Sequence, residues 1–301
     1  MKKILLLLFT LAFGTVTDID GNVYETVQIG NQLWMKENLK VTHYNNGDPI
    51  STNYSDNEWD NLNEAAYSIY EENTSYGEQY GFLYNWWVGI DEREVCPEGF
   101  DMPSNQDWLN LIDYLGGADI AGGKMKKEGV DDWNHPNLGA TNSSGFSSLP
   151  AGVRHSNSGL DCEYINEMAS YWSTDEASIN NSNAMVSNIF FDQESILNQG
   201  TGKGWGGSIR CIADSIIQGC TDSESLNYDE TANVNAGCLY LGDINGDLTV
   251  DIADVVTLVA YVVQNEANYN LETIQTTGEI NNDGIINVID VVLLVNIIVN
   301  Q

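Results

Sequence analysis

Asp243-Ile244-Asn245-Gly246-Asp247-Leu248-Thr249-Val250-Asp251-Ile252-Ala253-Asp254 recurs 36 residues later as Glu279-Ile280-Asn281-Asn282-Asp283-Gly284-Ile285-Ile286-Asn287-Val288-Ile289-Asp290. Carried on to Val263 and Val299, the two copies share nine identities in 21 positions. In the first copy Asp243, Asn245, Asp247, Asp251 and Asp254 occupy loop positions 1, 3, 5, 9 and 12; in the second, Glu279, Asn281, Asp283, Asn287 and Asp290 do. Thr249 and Ile285, at position 7, would contribute backbone carbonyls. Calcium takes six to eight hard oxygens at about 2.3–2.6 Å, and a tightly curled 12-residue loop points alternate side chains at one centre. Two Ca2+ sites are therefore expected, made of these twelve residues.

This is the spacing of an EF-hand calcium loop, with two departures. Leu248 stands at position 6, where glycine normally supplies a positive φ and a bulky side chain is disfavoured. Glu279 stands at position 1 in place of Asp. The first loop carries four carboxylates and the second three. Each loop runs into an apolar stretch read as a single helix, although its many valines have modest helix propensity and would also suit a strand.

Working outward, the charge sets the context. Of 301 residues, 11 are Lys or Arg and 44 are Asp or Glu, a net charge of −33. Such a surface repels phosphate backbones and anionic lipid, which excludes nucleic-acid and membrane-surface binding. After Arg210 there is no Lys, Arg or His, while 14 acidic residues follow. A tail without internal counter-charge stays extended or neutralises itself with metal, so it is expected to be largely unfolded without calcium.

At the other end, Met1-Lys2-Lys3 precedes an apolar run from Ile4 to Phe13. It is too short to span a bilayer and fits a signal peptide over residues 1–14, with Ala12-Phe13-Gly14 as the small-x-small cleavage site. A secreted or cell-surface protein with no transmembrane segment is expected. The five cysteines are then read in an oxidising compartment, where disulfides form. Cys220 is expected to pair with Cys238 inside one compact stretch and Cys96 with Cys211 across the first domain, which leaves Cys162 as either a reactive thiol or an unpaired or alternatively paired cysteine.

Residues 15–214 hold all eight tryptophans, which are expected mostly in the core rather than as an exposed platform for sugar rings. Asp18-Ile19-Asp20-Gly21-Asn22 reads as a hairpin turn in preference to a cation site. Ser104-x-x-Asp107 forms a capping box, with Trp108, Leu109, Leu111, Ile112 and Leu115 as the apolar face of a helix that Gly116 ends. A second helix is expected over Gly81–Trp87. His43, His135 and His155 show no ligand spacing, and no carboxylate pair stands out for glycoside hydrolysis.

Val23-Tyr24-Glu25-Thr26-Val27-Gln28-Ile29-Gly30-Asn31-Gln32-Leu33-Trp34-Met35-Lys36-Glu37-Asn38-Leu39-Lys40 resembles the opening signature of the Fibrobacter succinogenes major paralogous domain. Tyr80–Trp86, Cys96–Phe100 with Met102-Pro103-Ser104, Leu149–Arg154, Tyr171–Thr174 and Gly207–Cys211 match it in order. The resemblance implies a fold like that of C-type lectins and the formylglycine-generating enzyme, and it implies no activity. Gly204-Trp205-Gly206-Gly207-Ser208 lacks the carboxylates of a lectin calcium–sugar site, and a single spare thiol does not suit the oxidase chemistry. The tail resembles a type I dockerin, which implies two calcium ions and a cohesin-like partner. Loop positions 10 and 11, which help set partner choice in that family, are Ile252-Ala253 and Val288-Ile289.

The expected architecture is α+β. A loop-rich C-type-lectin-like domain covers 15–214, a short disulfide-stapled linker module 218–240, and a small all-α dockerin-like domain with two EF-hand-type calcium loops 241–301. The expected function is that of a non-catalytic surface, adhesion or ligand-binding protein attached through its tail to a cohesin-like or other surface protein, with glycan as a candidate ligand of the first domain. The alternative is an enzyme or accessory factor of an extracellular polysaccharide-degradation complex.

Overall fold

The computed structural model describes residues 14–155, 162–177, 182–264 and 271–300. Residues 1–13 of the expected signal peptide lie outside that set. Among the described residues no helix is long and apolar enough to cross a membrane. The chain divides into two compact units, one ending at Ile216 and the other beginning at Ile217.

The first unit is mixed α/β, mostly short sheets with a few helices. It runs β1 (Thr15–Thr17), β2 (Val23–Ile29), β3 (Gln32–Met35), α1 (Asp56–Trp59), β4 (Tyr67–Ser68), α2 (Thr74–Tyr80), β5 (Leu83–Tyr84), α3 (Trp86–Gly89) and β6 (Phe100–Asp101). Next come α4 (Asn105–Tyr114), α5 (Ala118–Met125), β7 (Ala151–Arg154), β8 (Cys162–Ile165), β9 (Met168–Glu176), β10 (Asn183–Phe190), β11 (Ile196–Gly202) and β12 (Ile212–Ala213). One sheet has the order β1-β2-β3-β12-β6 and another β11-β10-β9, while β4-β5 and β7-β8 are separate pairs.

The β1–β2 turn forms because Asp18 organises it. Its Oδ1 accepts from the amides of Asp20 and Asn22, and its Oδ2 accepts from the Tyr24 hydroxyl at 2.7 Å. Helix α4 starts at the Ser104–Asp107 capping box, and Gly116, at φ +99°, follows its end. Trp108, Leu111, Ile112 and Leu115 are buried, whereas Leu109 is exposed and does not belong to the core face.

Two local expectations need correction. No helix covers Gly81–Trp87: Gly81, at φ +80°, terminates α2, and the chain then forms strand β5 and the single turn α3. Helix α5 is an addition to the loop expected after residue 117. Its Gly122 and Gly123 let the backbone approach Ser195 and Gly139, where a Cβ would lie 2.3 and 2.5 Å from carbonyl oxygens.

The core gathers Trp34, Trp108, Phe146 and Tyr171 with Leu111, Met125, Ile189 and Ile212. Trp34 and Trp108 ring centroids lie 4.9 Å apart, and Trp108 stacks on Tyr171 at 5.3 Å. Six of the eight tryptophans are buried; Trp87 and Trp205 are half-exposed. Arg210 is wholly buried among these rings, its guanidinium donating to Asn38 Oδ1 and to the carbonyls of Met35 and Phe146. A buried charge is tolerable when its donors are satisfied. Burial pulls its pKa down while the Tyr171 and Glu37 side chains oppose that.

Lys126 follows the same logic: its buried ammonium donates to the carbonyls of Leu138, Phe190 and Gln193 at 2.8, 3.0 and 2.7 Å. Burial lowers its pKa to about 8, against the Asp192 and Glu194 charges. A Cys96–Cys211 disulfide closes the unit and a Cys220–Cys238 disulfide staples the start of the next.

In the second unit β13 (Gln218–Gly219) pairs in parallel with β14 (Val234–Asn235). Three helices follow, α6 (Ile252–Gln264), α7 (Leu271–Thr277) and α8 (Val288–Val299). The valine-rich runs are therefore helical. Tertiary packing overrides their modest propensity, with Ile244, Val255, Leu258, Ile274 and Leu294 as the buried core. Helix α7 departs from the expectation of one helix per loop, because it precedes the second loop.

Candidate functional site

The two expected calcium loops lie at 243–254 and 279–290, and each is built on side-chain-to-amide bonds. Asp254, fully buried, accepts from the amides of Ile244 and Asn245 through Oδ1 and from Asp251 through Oδ2. Asp290, also fully buried, accepts from Ile280, Asn281 and Asn287 in the same way. Position 3 accepts from the position-5 amide in both loops, at 2.8 Å for Asn245 and 3.1 Å for Asn281. Position 5 accepts from position 7, at 2.9 Å for both Asp247 and Asp283, and Asp247 also holds the Thr249 hydroxyl. Position 9 caps the following helix: Asp251 accepts from Ala253 and Asn287 from Ile289.

The loops differ at position 1. Asp243, 1% exposed, reaches the amides of Gly246, Asp247 and Leu248, whereas the longer Glu279 reaches only Asp283. The Ile285 carbonyl accepts from the Asn287 side-chain amide. Among the described residues no three His, Cys, Asp or Glu side chains are gathered as a metal-holding group; the carboxylates close on their own loop amides.

Backbone curvature demands positive φ at positions 4 and 6. Gly246 and Leu248 adopt +76° and +67°, Asn282 and Gly284 +57° and +83°. A left-handed leucine is strained by about 1–2 kcal/mol, and Leu248 is half-exposed, so little packing offsets the strain. Leu248→Gly is expected to stabilise the second unit by about 1 kcal/mol, net of the glycine's greater chain entropy. Its unfolding midpoint in calcium checks this; a lower midpoint than the parent's would refute it.

The donor set suits a hard divalent cation. Asp243, Asp254 and Asp290 are buried carboxylates in a unit without one Lys, Arg or His, and a buried charge needs hydrogen bonds or a counter-ion. Burial pushes the Asp243 carboxyl above the usual range. The Gly246 and Leu248 amides pull it back, and the charges of Asp254 and Asp247 push it up again.

In the first unit the histidines stay apart. His43 Nδ1 lies 2.6 Å from Asp20 Oδ1, His135 is exposed, and His155 is buried beside Glu163. Cys162 is half-buried at the start of β8 and stands outside both disulfides.

One carboxylate pair that no sequence spacing announced is brought together. Asp101 and Asp214 line one cleft of about 510 Å³ together with Met102, Ser104, Asp107 and Thr174. Partial desolvation in the cleft and the neighbouring Asp214 push the Asp101 carboxyl up.

The family model of the Fibrobacter succinogenes major domain matches residues 27–213. No curated protein and no solved structure matches the chain.

Proposed function

The chain belongs to the Fibrobacter succinogenes major domain family, and from that premise we propose that it is an exported, non-catalytic protein whose lectin-like first unit presents a ligand-binding surface and whose dockerin-like tail attaches it to a partner. In the tail, Asp243, Asn245, Asp247, Asp251 and Asp254, with the Thr249 carbonyl, hold one calcium. Glu279, Asn281, Asp283, Asn287 and Asp290, with the Ile285 carbonyl, hold the other. Bound calcium supplies the positive charge that this unit's own residues lack. The loops in turn orient α6 and α8 through their position-9 and position-12 side chains.

The observation that carries the docking reading is a duplicated apolar stripe. Ile252, Val256, Val259 and Val263 on α6 recur, 36 residues on, as Val288, Val292, Val295 and Val299 on α8, and all eight are between 38% and 75% exposed. Spacings of four, three and four residues place each set on one helix face. Contiguous exposed apolar faces of this kind mark interaction surfaces. The unit's wholly acidic charge calls for a partner surface that is apolar at its centre and basic at its rim.

Val259→Asp together with Val295→Asp should lower capture of the partner from the native surface fraction by more than tenfold, since charge in a desolvated interface centre is strongly penalised. EGTA should abolish capture by the parent chain. Capture that survives both the chelator and the double substitution would sink the docking reading.

A further inference from the structure

We propose that Tyr164, His155 and Trp205 form a stacking site for the rings of a neutral polysaccharide, on the reading that the first unit presents a ligand-binding surface. The β7–β8 hairpin pairs Val153 with Glu163 and Arg154 with Cys162. Arg154 and Gly206 exchange two backbone bonds, at 2.9 and 2.7 Å, which fixes Trp205 beside the hairpin. The His155 ring then lies 4.5 Å from Trp205 and 6.0 Å from Tyr164, centroid to centroid. His155 is buried, Trp205 half-buried and Tyr164 44% exposed, and the imidazole, tilted by 63° and 60° to the two rings, separates them. Glu163, whose Oε2 lies 3.1 Å from His155 Nε2, sets a carboxylate beside the row as an acceptor for sugar hydroxyls.

The second, independent observation is strain. Tyr164 has φ +66°, opposite Gly152 at +68°. A left-handed conformation is a genuine outlier for a bulky residue. An exposed tyrosine there gains little packing to offset the strain, whereas glycine would relieve it. Residues held against their backbone preference concentrate at binding and catalytic positions.

Aromatic faces with a hydroxyl or imidazole edge suit the mixed apolar and polar surface of a pyranose. The chain's charge of −33 and the Glu163 carboxylate select against uronate or sulfated chains.

Affinity electrophoresis of the full chain, in calcium, tests this with gels containing soluble xylan, mixed-linkage β-glucan or galactomannan, and with polygalacturonate as the acidic counter-probe. Retardation by at least one neutral polymer is expected. Trp205→Ala and Tyr164→Gly should each weaken it about tenfold, with the Tyr164→Gly unfolding midpoint at or above the parent's. Retardation that is undiminished in both variants would overturn the site while leaving a ligand-presenting first unit standing. Failure of every neutral polymer to retard the parent, or preferential retardation by polygalacturonate, would overturn the proposal and leave attachment through the tail untouched.

Discussion

Removing calcium from the full chain with EGTA is expected to unfold residues 241–301 and leave the first unit folded. Circular dichroism should lose the helical signal of α6, α7 and α8, and its return should follow calcium titration. The physical basis is the balance inside the tail. Its fully buried side chains are few, Ile244, Leu258, Ile274 and Leu294 among them, and they must hold together loops in which Asp243, Asp254 and Asp290 are also buried. Without a cation, those carboxylates are compensated by backbone amides alone. A ligand present at a thousand times its Kd stabilises the state that binds it by about 4 kcal/mol per site. Two sites would thus supply much of the stability of a unit this small. Asp254→Ala with Asp290→Ala should reproduce the chelated spectrum at millimolar calcium. An identical spectrum with and without chelator would refute the coupling of metal to folding.

The second large effect is expected in the first unit. Replacing Cys96 and Cys211 together by serine should lower its stability by about 4–5 kcal/mol, because the bond closes a loop of 115 residues and the chain-entropy contribution grows with loop length. Set against the roughly 5–15 kcal/mol that holds an ordinary domain together, this is a large share. Cys220 and Cys238, 18 residues apart, close a shorter loop worth about 3 kcal/mol on the same scale. Denaturant unfolding of the paired-serine chain measures the loss directly. A change below about 1 kcal/mol would show that the open chain already holds these ends together.

What could be read from the residues were the features whose cause is local. The Ser104–Asp107 capping box and the Asp18 turn satisfy their own amides within a few residues, so pattern and structure coincide there. The loop repeat is local in the same sense: each position-12 Asp bonds amides no more than ten residues away. What escaped depended on distant partners. Helix α5, with Gly122 and Gly123 inside it, has a poor intrinsic preference for helix and exists because those glycines admit the backbones of Ser195 and Gly139. The segment Gly81–Trp87 carries helical-looking apolar spacing, but a positive φ at Gly81 and pairing of Leu83 with Ser68 override it. Asp101 and Asp214 are far apart in sequence, and Trp205 lies fifty residues from His155. Only strand register makes them neighbours, and no spacing announces them.

The absence of Lys and Arg beyond Arg210 reaches further than electrostatics. Proteases that recognise a basic side chain through an acidic specificity pocket, as trypsin does, find no cleavage point between residues 211 and 301, and Arg210 itself is sealed in the core. In surroundings rich in such enzymes the stretch 211–301 would outlast its neighbours. Even after denaturation and digestion it would leave as one long fragment, still tied through Cys211 to the peptide bearing Cys96 until a reductant separates them.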